Sequence, residues 1–420
     1  MPMQPWFPDA KLGIFIHYGI YAVDGVEESW SFYRGDVPHD VYMAQTAGFT
    51  AAAYDPAQWA ALFARAGARY AVLTARHHDG FALWDTGFGD NHVLNSPAGR
   101  DLIGPYVQAM RDQGLKVGLY YSHSDWNHPD YATVRSTDRR HAWSENSYTT
   151  PAGEDDPAAW ARFLAYRDGQ VAELVERHRP DLLWFDGEWE RGEEQWGIDA
   201  LADRILAVNP ATILNSRMLS RGDYATPEQG VPVTPPDGPW ELCLTINESW
   251  GFQGRDTNQK SVRQLVRYFT ETIGAGGNLL LDVGPTADGR ITPEQTERLE
   301  GLGAWIGKHT EAVFGTVAGL PAGHHHGPST LSADRRTLYL TCFDPPREVV
   351  GVRGLQTKVR GVRVVGRDAV LPHTVTGGLG DVPGMLWIDA PQAADVDDHA
   401  TVLAVELDGE LEIYRGTGRS

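Results

Sequence analysis

Over its first three quarters the chain alternates short apolar runs with longer amphipathic stretches, and no other feature narrows the fold as far. The runs Leu12–His17, Tyr70–Thr74, Lys116–Tyr121, Asp181–Phe185, Thr212–Asn215, Leu242–Thr245 and Asn278–Val283 read as strands. The stretches between them read as helices. Asp55-Pro56-Ala57-Gln58 opens one: Asp55 can cap, Pro56 suits the first helical position and Gln58 can close a capping box. Trp59, Leu62, Phe63 and Ala66 follow at helical spacing. Asp101–Gln113, Pro157–His178, Ile198–Val208 and Ser261–Ile273 continue the series, and Thr292-Pro293-Glu294-Gln295 caps a last helix with Leu299, Leu302, Trp305 and Ile306 inward. Alternating strand and helix argues for a parallel sheet, and about seven strands approach the number that closes a barrel. The expected fold is an irregular (β/α) TIM-like barrel, with a doubly wound sheet as the alternative. Either architecture places its site at the carboxyl ends of the strands.

The character changes after roughly Gly315. Pro321–Pro328 reads as a linker, and beyond it Thr337–Phe343, Glu348–Val352, Val362–Val365, Met385–Asp389, Thr401–Leu407 and Leu411–Tyr414 are strand-like runs separated by turns. The expected division is a catalytic barrel over 1–317 and a small antiparallel β-sandwich over 318–420.

Charge limits the partners. Lys plus Arg is 36 and Asp plus Glu is 56, so the net charge is 36 − 56 = −20. That disfavours attraction to nucleic acid or an anionic membrane and suits a neutral sugar. Cys243 and Cys342 lie far apart without zinc-site spacing and read as two buried thiols. Without a secretory signal or a run of ~20 apolar residues, the expected location is cytoplasmic. Fourteen Trp can fill a core and stack on sugar faces.

The candidate chemistry falls just after strands. In LLWFDGEWE an apolar run ends and Asp186 follows, with Gly187 behind it to let the backbone turn and a ligand approach; Glu188 and Glu190 compete with Asp186 for a catalytic role. His17 ends the first strand, and His77 and His78 follow the second in ARHHDGF. Three imidazoles at neighbouring strand tips suit hydrogen bonding to sugar hydroxyls. In regular strand geometry His77 and His78 point opposite ways, which argues against one shared metal. Glu228 lies in a loop beside Pro227, and a partly desolvated carboxyl there could serve as a general acid. Arg217 could bond hydroxyls and bias nearby pKa values, and Trp250 could be a stacking platform. GAGG at Gly274–Gly277 follows a helix and precedes a strand, the reverse of a phosphate loop, and no G-x-S-x-G is present.

Together, KLGIFIHYG, YDPAQWAALFARAGARYAVLTARHHDGFALWDT, GLKVGLYYSHSDWNHPDY, LLWFDG, NSR, GDYATPEQ, TINESWGF and GGNLLLDVGPTADGRI resemble glycoside hydrolase family 29, the α-L-fucosidases, over roughly residues 5–315. The resemblance implies an exo-acting retaining glycosidase without metal or organic cofactor. It implies Asp186 as nucleophile and Glu228 as acid/base. It matches His17, His77 and His78 to groups that hold sugar hydroxyls, and Tyr121, Arg217 and Trp250 to subsite residues. The family's early acidic residue falls at Glu28-Ser29-Trp30: either Glu28 fills the role or Ser29 has replaced it. Trp30 and Trp250 are the candidate walls against a fucose methyl group. A galacto-configured substrate, a non-catalytic carbohydrate-binding protein and a homo-oligomer stay open at this stage.

Overall fold

The computed structural model describes residues 3–131, 156–414 and 416. Among these, seven strands form one sheet: β1 (Leu12–Ile16), β2 (Tyr70–Arg76), β3 (Lys116–Ser122), β4 (Leu182–Asp186), β5 (Ile213–Leu214), β6 (Glu241–Thr245) and β7 (Asn278–Val283). The order is β5-β4-β3-β2-β1-β7-β6, and every ladder is parallel. Nearly every strand residue is buried, as expected where helices cover one face and interior side chains the other. The seven apolar runs are thus the seven strands of the curled TIM-like sheet.

The helices begin where capping chemistry puts them. Asp55 accepts from the amides of Ala57 and Gln58 ahead of Pro56–Arg65. Ser261 and Gln264 form a reciprocal capping box on Val262–Gly274, and Thr292 caps Pro293–Lys308 through the Gln295 amide. These side chains satisfy amide groups that the first turn leaves without a carbonyl partner.

The edge strands β5 and β6 do not pair with each other. The segment 224–229 fills the gap, with parallel bridges Asn215–Tyr224, Ala225–Trp240 and Glu228–Cys243. The Gln229 amide donates to the Cys243 carbonyl at 2.9 Å and the Cys243 amide to the Pro227 carbonyl at 3.1 Å. Pro227 has no amide hydrogen to give, so this eighth position is an irregular run rather than a full strand. It sets Glu228 between β5 and β6.

The interior of the curled sheet holds Phe15, Tyr120, Trp184 and Cys243 in one apolar cluster, distinct from the larger cluster between sheet and helices.

The C-terminal strands are β8 (Thr316–Ala318), β9 (Ser329–Ser332), β10 (Thr337–Cys342), β11 (Val349–Val352), β12 (Val359–Val364), β13 (His373–Thr376), β14 (Met385–Asp389) and β15 (Thr401–Leu407). They form the sheets β12-β15-β10-β9-β8 and β11-β14-β13, antiparallel throughout. Leu338, Leu340, Val352, Leu386, Ile388 and Leu403 from both sheets share one core, which makes the pair a sandwich. Three details differ from the sequence reading. Strands β8 and β9 flank the stretch read as linker, β13 was unforeseen, and Leu411–Tyr414 makes only the single bridge Leu355–Ile413. Short, half-exposed edge strands carry too little apolar alternation to stand out. Both cysteines are free and buried, and no helix among the described residues is long and apolar enough to cross a membrane.

Candidate active site

A cavity of about 410 Å³ opens at the carboxyl ends of the strands, within the usual size of a small-molecule site. Its floor is aromatic: Phe15, Tyr120 and Trp184 are interior positions of β1, β3 and β4. Trp30, Trp189 and Trp250 form apolar walls, and the Trp30 and Trp189 rings stack 5.9 Å apart at 16°.

Asp186 is the last residue of β4, so its side chain leaves the sheet at the cavity. Tyr120 donates its hydroxyl to Asp186 Oδ2 at 3.0 Å. Gly187 follows at φ +79°, where a Cβ would lie 2.7 Å from Ser124 Oγ. The turn that aims Asp186 therefore excludes a side chain at the next position.

Arg217 organises the acidic side. Its Nη1 lies 3.4 Å from both Asp186 Oδ1 and Glu188 Oε1, and its Nη2 lies 3.5 Å from Glu228 Oε2. One guanidinium touches three carboxylates. Burial pushes Glu188 up to about 7; Asp186 adds to the rise and Arg217 opposes it. Glu228 stands at the rim with its side chain 44% exposed. Crowding by protein atoms, then the charge of Asp186, raises it above the usual carboxylate range, against Arg217 and His17.

The opposite wall carries histidines. His17 Nδ1 lies 2.6 Å from Asp282 Oδ1. Burial opposes a charge on His17, but Asp282, Glu28 and Asp186 outweigh it and raise the imidazole above its usual value. Ser29 Oγ lies 2.6 Å from His77 Nδ1, and the His77 ring stacks on Tyr120 at 9°. Burial holds His77 well below its usual value, so it works as a neutral ring.

His78 sits one layer deeper. Ser122 Oγ gives its proton to the Ser124 carbonyl, so the 2.6 Å contact between His78 Nδ1 and Ser122 Oγ is a ring N–H donating. Its Nε2 lies 3.6 Å from Asp186 Oδ2. The His77 and His78 rings lie side by side, centroids 4.2 Å apart, because β2 ends at Arg76 and strand alternation no longer separates them. Among the described residues no group of three or more His, Cys, Asp or Glu is placed to hold a metal ion.

Glu28 and Ser29 take different places. The Glu28 carboxyl lines the cavity and accepts from the Gly251 amide at 3.3 Å. Burial lifts it to about 7, with His17 pulling it back down. Ser29 instead backs His77. The cavity therefore gathers Asp186, Glu228, His17, Glu28, Trp30, His77, Arg217 and Trp250, with His78 behind Asp186.

Tyr121 is the correction. It faces the helical layer, where its hydroxyl donates to Gln170 Oε1 at 2.9 Å and Arg76 lies 4.2 Å above its ring. Period-two alternation along β3 puts Tyr120 inside instead. Sequence reasoning also missed Trp184, Trp189 and Asp282 as parts of the site. Trp184 and Asp282 sit inside apolar runs, and the partner of Asp282 is 265 residues away. Trp189 lies between Glu188 and Glu190, which were singled out.

A family model described as alpha-L-fucosidase matches residues 1–311. The α-L-fucosidase of Branchiostoma floridae is 32% identical over 346 residues, covering 75% of this chain and 73% of its own. The structure of α-L-fucosidase isoenzyme 1 from Paenibacillus thiaminolyticus matches with a TM-score of 0.84 at 33% identity, over 96% of this chain and 98% of its own. Thermotoga maritima α-fucosidase, solved in complex with a mechanism-based inhibitor, matches with a TM-score of 0.79 at 29% identity, over 96% of each chain.

Proposed function

The chain belongs to the α-L-fucosidase family, glycoside hydrolase family 29, and from that premise we propose that it is an exo-acting, retaining α-L-fucosidase with Asp186 as nucleophile and Glu228 as general acid/base. The observation that carries this reading is the contact of one guanidinium, Arg217, with both carboxylates across the cavity. A retaining glycosidase needs two carboxyl groups flanking one bond.

In the first step an Asp186 oxygen attacks the anomeric carbon. The bond to the leaving oxygen breaks, and Glu228 gives that oxygen its proton. Crowding by protein atoms and the neighbouring charge of Asp186 raise Glu228 above the usual carboxylate range, which favours the proton this role needs. In the second step Glu228, now a carboxylate, takes a proton from water, which attacks the same carbon and frees Asp186. Asp186 loses its negative charge to the ester on one side of Arg217 while Glu228 gains one on the other.

His17, Glu28 and His77 line the wall suited to ring hydroxyls, and Trp30 and Trp250 suit the apolar methyl of fucose. His78 packs behind Asp186, its Nε2 3.6 Å from Oδ2 without a hydrogen bond between them. We also place the division between units at residues 317 and 318. The last helix before it ends at Val313, the division falls inside β8, the first strand of the C-terminal sheets, and the sandwich core draws its residues from Leu331 onward.

The test is release of p-nitrophenol from its α-L-fucoside by wild type and Asp186→Gly, with and without azide. Turnover by wild type, its loss in the variant and rescue by azide as an inverted fucosyl azide are expected. Full turnover by Asp186→Gly would refute the assignment.

A further inference from the structure

Glu188 is the one carboxyl in the Arg217 cluster that the two-step scheme leaves without a task. It is two residues from Asp186, yet the intervening left-handed Gly187 folds its carboxyl back to the same guanidinium nitrogen. Its side chain is 14% exposed, less than that of Asp186 or Glu228. Its Oε2 has no hydrogen-bond partner among the described residues.

Two carboxylates on one guanidinium nitrogen compete for a single positive charge. While Asp186 is anionic, a second anion at Glu188 is disfavoured. Once Asp186 is esterified, the competing anion on Nη1 is gone; the charge that Glu228 gains lies on the other guanidinium nitrogen, at the half-exposed rim, and Nη1 is left with Glu188 alone. We propose that Glu188 is a positioning residue that alternates with the nucleophile: a neutral acid while Asp186 is charged, and a carboxylate holding Arg217 while Asp186 carries the sugar. The proton exchange is simple. On ester formation Glu188 releases a proton to water in the open cavity, and it recovers one when hydrolysis restores Asp186. The charged and titratable groups facing it are Arg217 and Asp186 directly, Glu228 through the other guanidinium nitrogen, and, behind Asp186, His78, whose ring burial pushes down to about 4. Its own rise to about 7 puts its ionisation in the neutral range, where a change of charge at Asp186 can tip it.

The role falls on the second step. With Glu188 ionised, Arg217 is neutralised from both sides and imposes less positive charge on the oxocarbenium-like transition state of hydrolysis. A permanently neutral side chain should spare the first step and slow the second.

This inference rests on Asp186 being a covalent nucleophile, which the azide experiment tests separately. The experiment here is rapid-mixing kinetics of Glu188→Gln with p-nitrophenyl α-L-fucoside, beside Glu188→Asp and melting curves for both. For Glu188→Gln the expected result is a burst of p-nitrophenol, kcat and KM both at least tenfold lower, and kcat/KM within about threefold of wild type. Glu188→Asp, which still ionises, should recover most of kcat. A structural role would not lower KM in step with kcat. The proposal is overturned if kcat/KM falls as far as kcat, if no burst appears, or if Glu188→Asp is as slow as Glu188→Gln. If Glu188→Gln does not fold, the Glu188→Asp burst and kcat decide alone. Azide rescue of Asp186→Gly alongside any of these failures would leave the retaining mechanism standing.

Discussion

His17 Nδ1 and Asp282 Oδ1 lie 2.6 Å apart in a buried pair that joins the tips of the neighbouring strands β1 and β7. The carboxylate fixes the proton on Nδ1 and turns Nε2 toward the cavity, as an orienting acid does for other histidines. Asp282→Asn keeps the shape and removes the charge. A charge-assisted hydrogen bond is worth about 1.5–3 kcal/mol, so kcat/KM should fall by roughly 10- to 100-fold while the melting temperature shifts by only a few degrees. An Asp282→Asn enzyme with wild-type kcat/KM would mean that Asp282 does not set the state of His17.

Adjacent tyrosines on β3 provide a second comparison. Tyr120 donates to Asp186 at 3.0 Å, whereas the Tyr121 hydroxyl is spent on Gln170. Tyr120→Phe should lower kcat/KM by about 10-fold or more through loss of a bond to a charged group. Tyr121→Phe should cost stability of about 1 kcal/mol and leave kcat/KM within a factor of three. Kinetics and melting of the two variants settle the order, and equal losses of activity would undo the assignment.

That pair also shows where sequence reading stopped. The run Lys116–Tyr121 was visible as a strand because it is apolar and bounded by helical stretches. A strand covered on both faces shows no alternation, so nothing local says which tyrosine faces inward. The histidines at strand tips were legible because polar residues interrupt apolar runs there. Asp282 was not, since NLLLDV reads as an apolar run and its partner lies at the other end of the barrel sequence. Glu228 could be named from its loop motif. Its placement by an irregular eighth run between β5 and β6 depends on backbone bridges that no short pattern encodes.

The pH profile follows from Glu228. Its folded pKa is raised, so the acid form needed for the first step persists above the usual carboxylate range and is lost as pH rises through that raised value. The alkaline limb of kcat/KM should therefore belong to Glu228. Glu228→Gln should abolish that limb and cost a poorly activated substrate far more than a p-nitrophenyl fucoside. If the limb survives unchanged in Glu228→Gln, another group is the acid.

Below the cavity, Glu241 links its floor to the barrel base. Its Oε1 accepts from Trp184 Nε1 at 2.9 Å and its Oε2 from the Tyr70 hydroxyl at 2.5 Å. Trp184 in turn stacks on Tyr120 at 19°, and Tyr120 holds Asp186. Burial lifts Glu241 from 4.5 to about 7, although both donors pull it down. The folded chain then binds this proton more tightly than the unfolded chain. The contribution to stability is full below pH 4.5, declines between 4.5 and about 7, and is lost above that. Glu241→Gln cannot titrate, so its melting temperature should fall less between pH 5 and pH 8 than that of wild type. Its amide oxygen can still accept from Trp184 and its N–H can donate to the Tyr70 oxygen, as the protonated acid does, so at pH 5 the variant should lie within about 1 kcal/mol of wild type. Melting curves of both proteins across that range are the test: a flatter curve is expected for the variant. A variant curve parallel to wild type would mean that Glu241 is already ionised in the folded protein at pH 5.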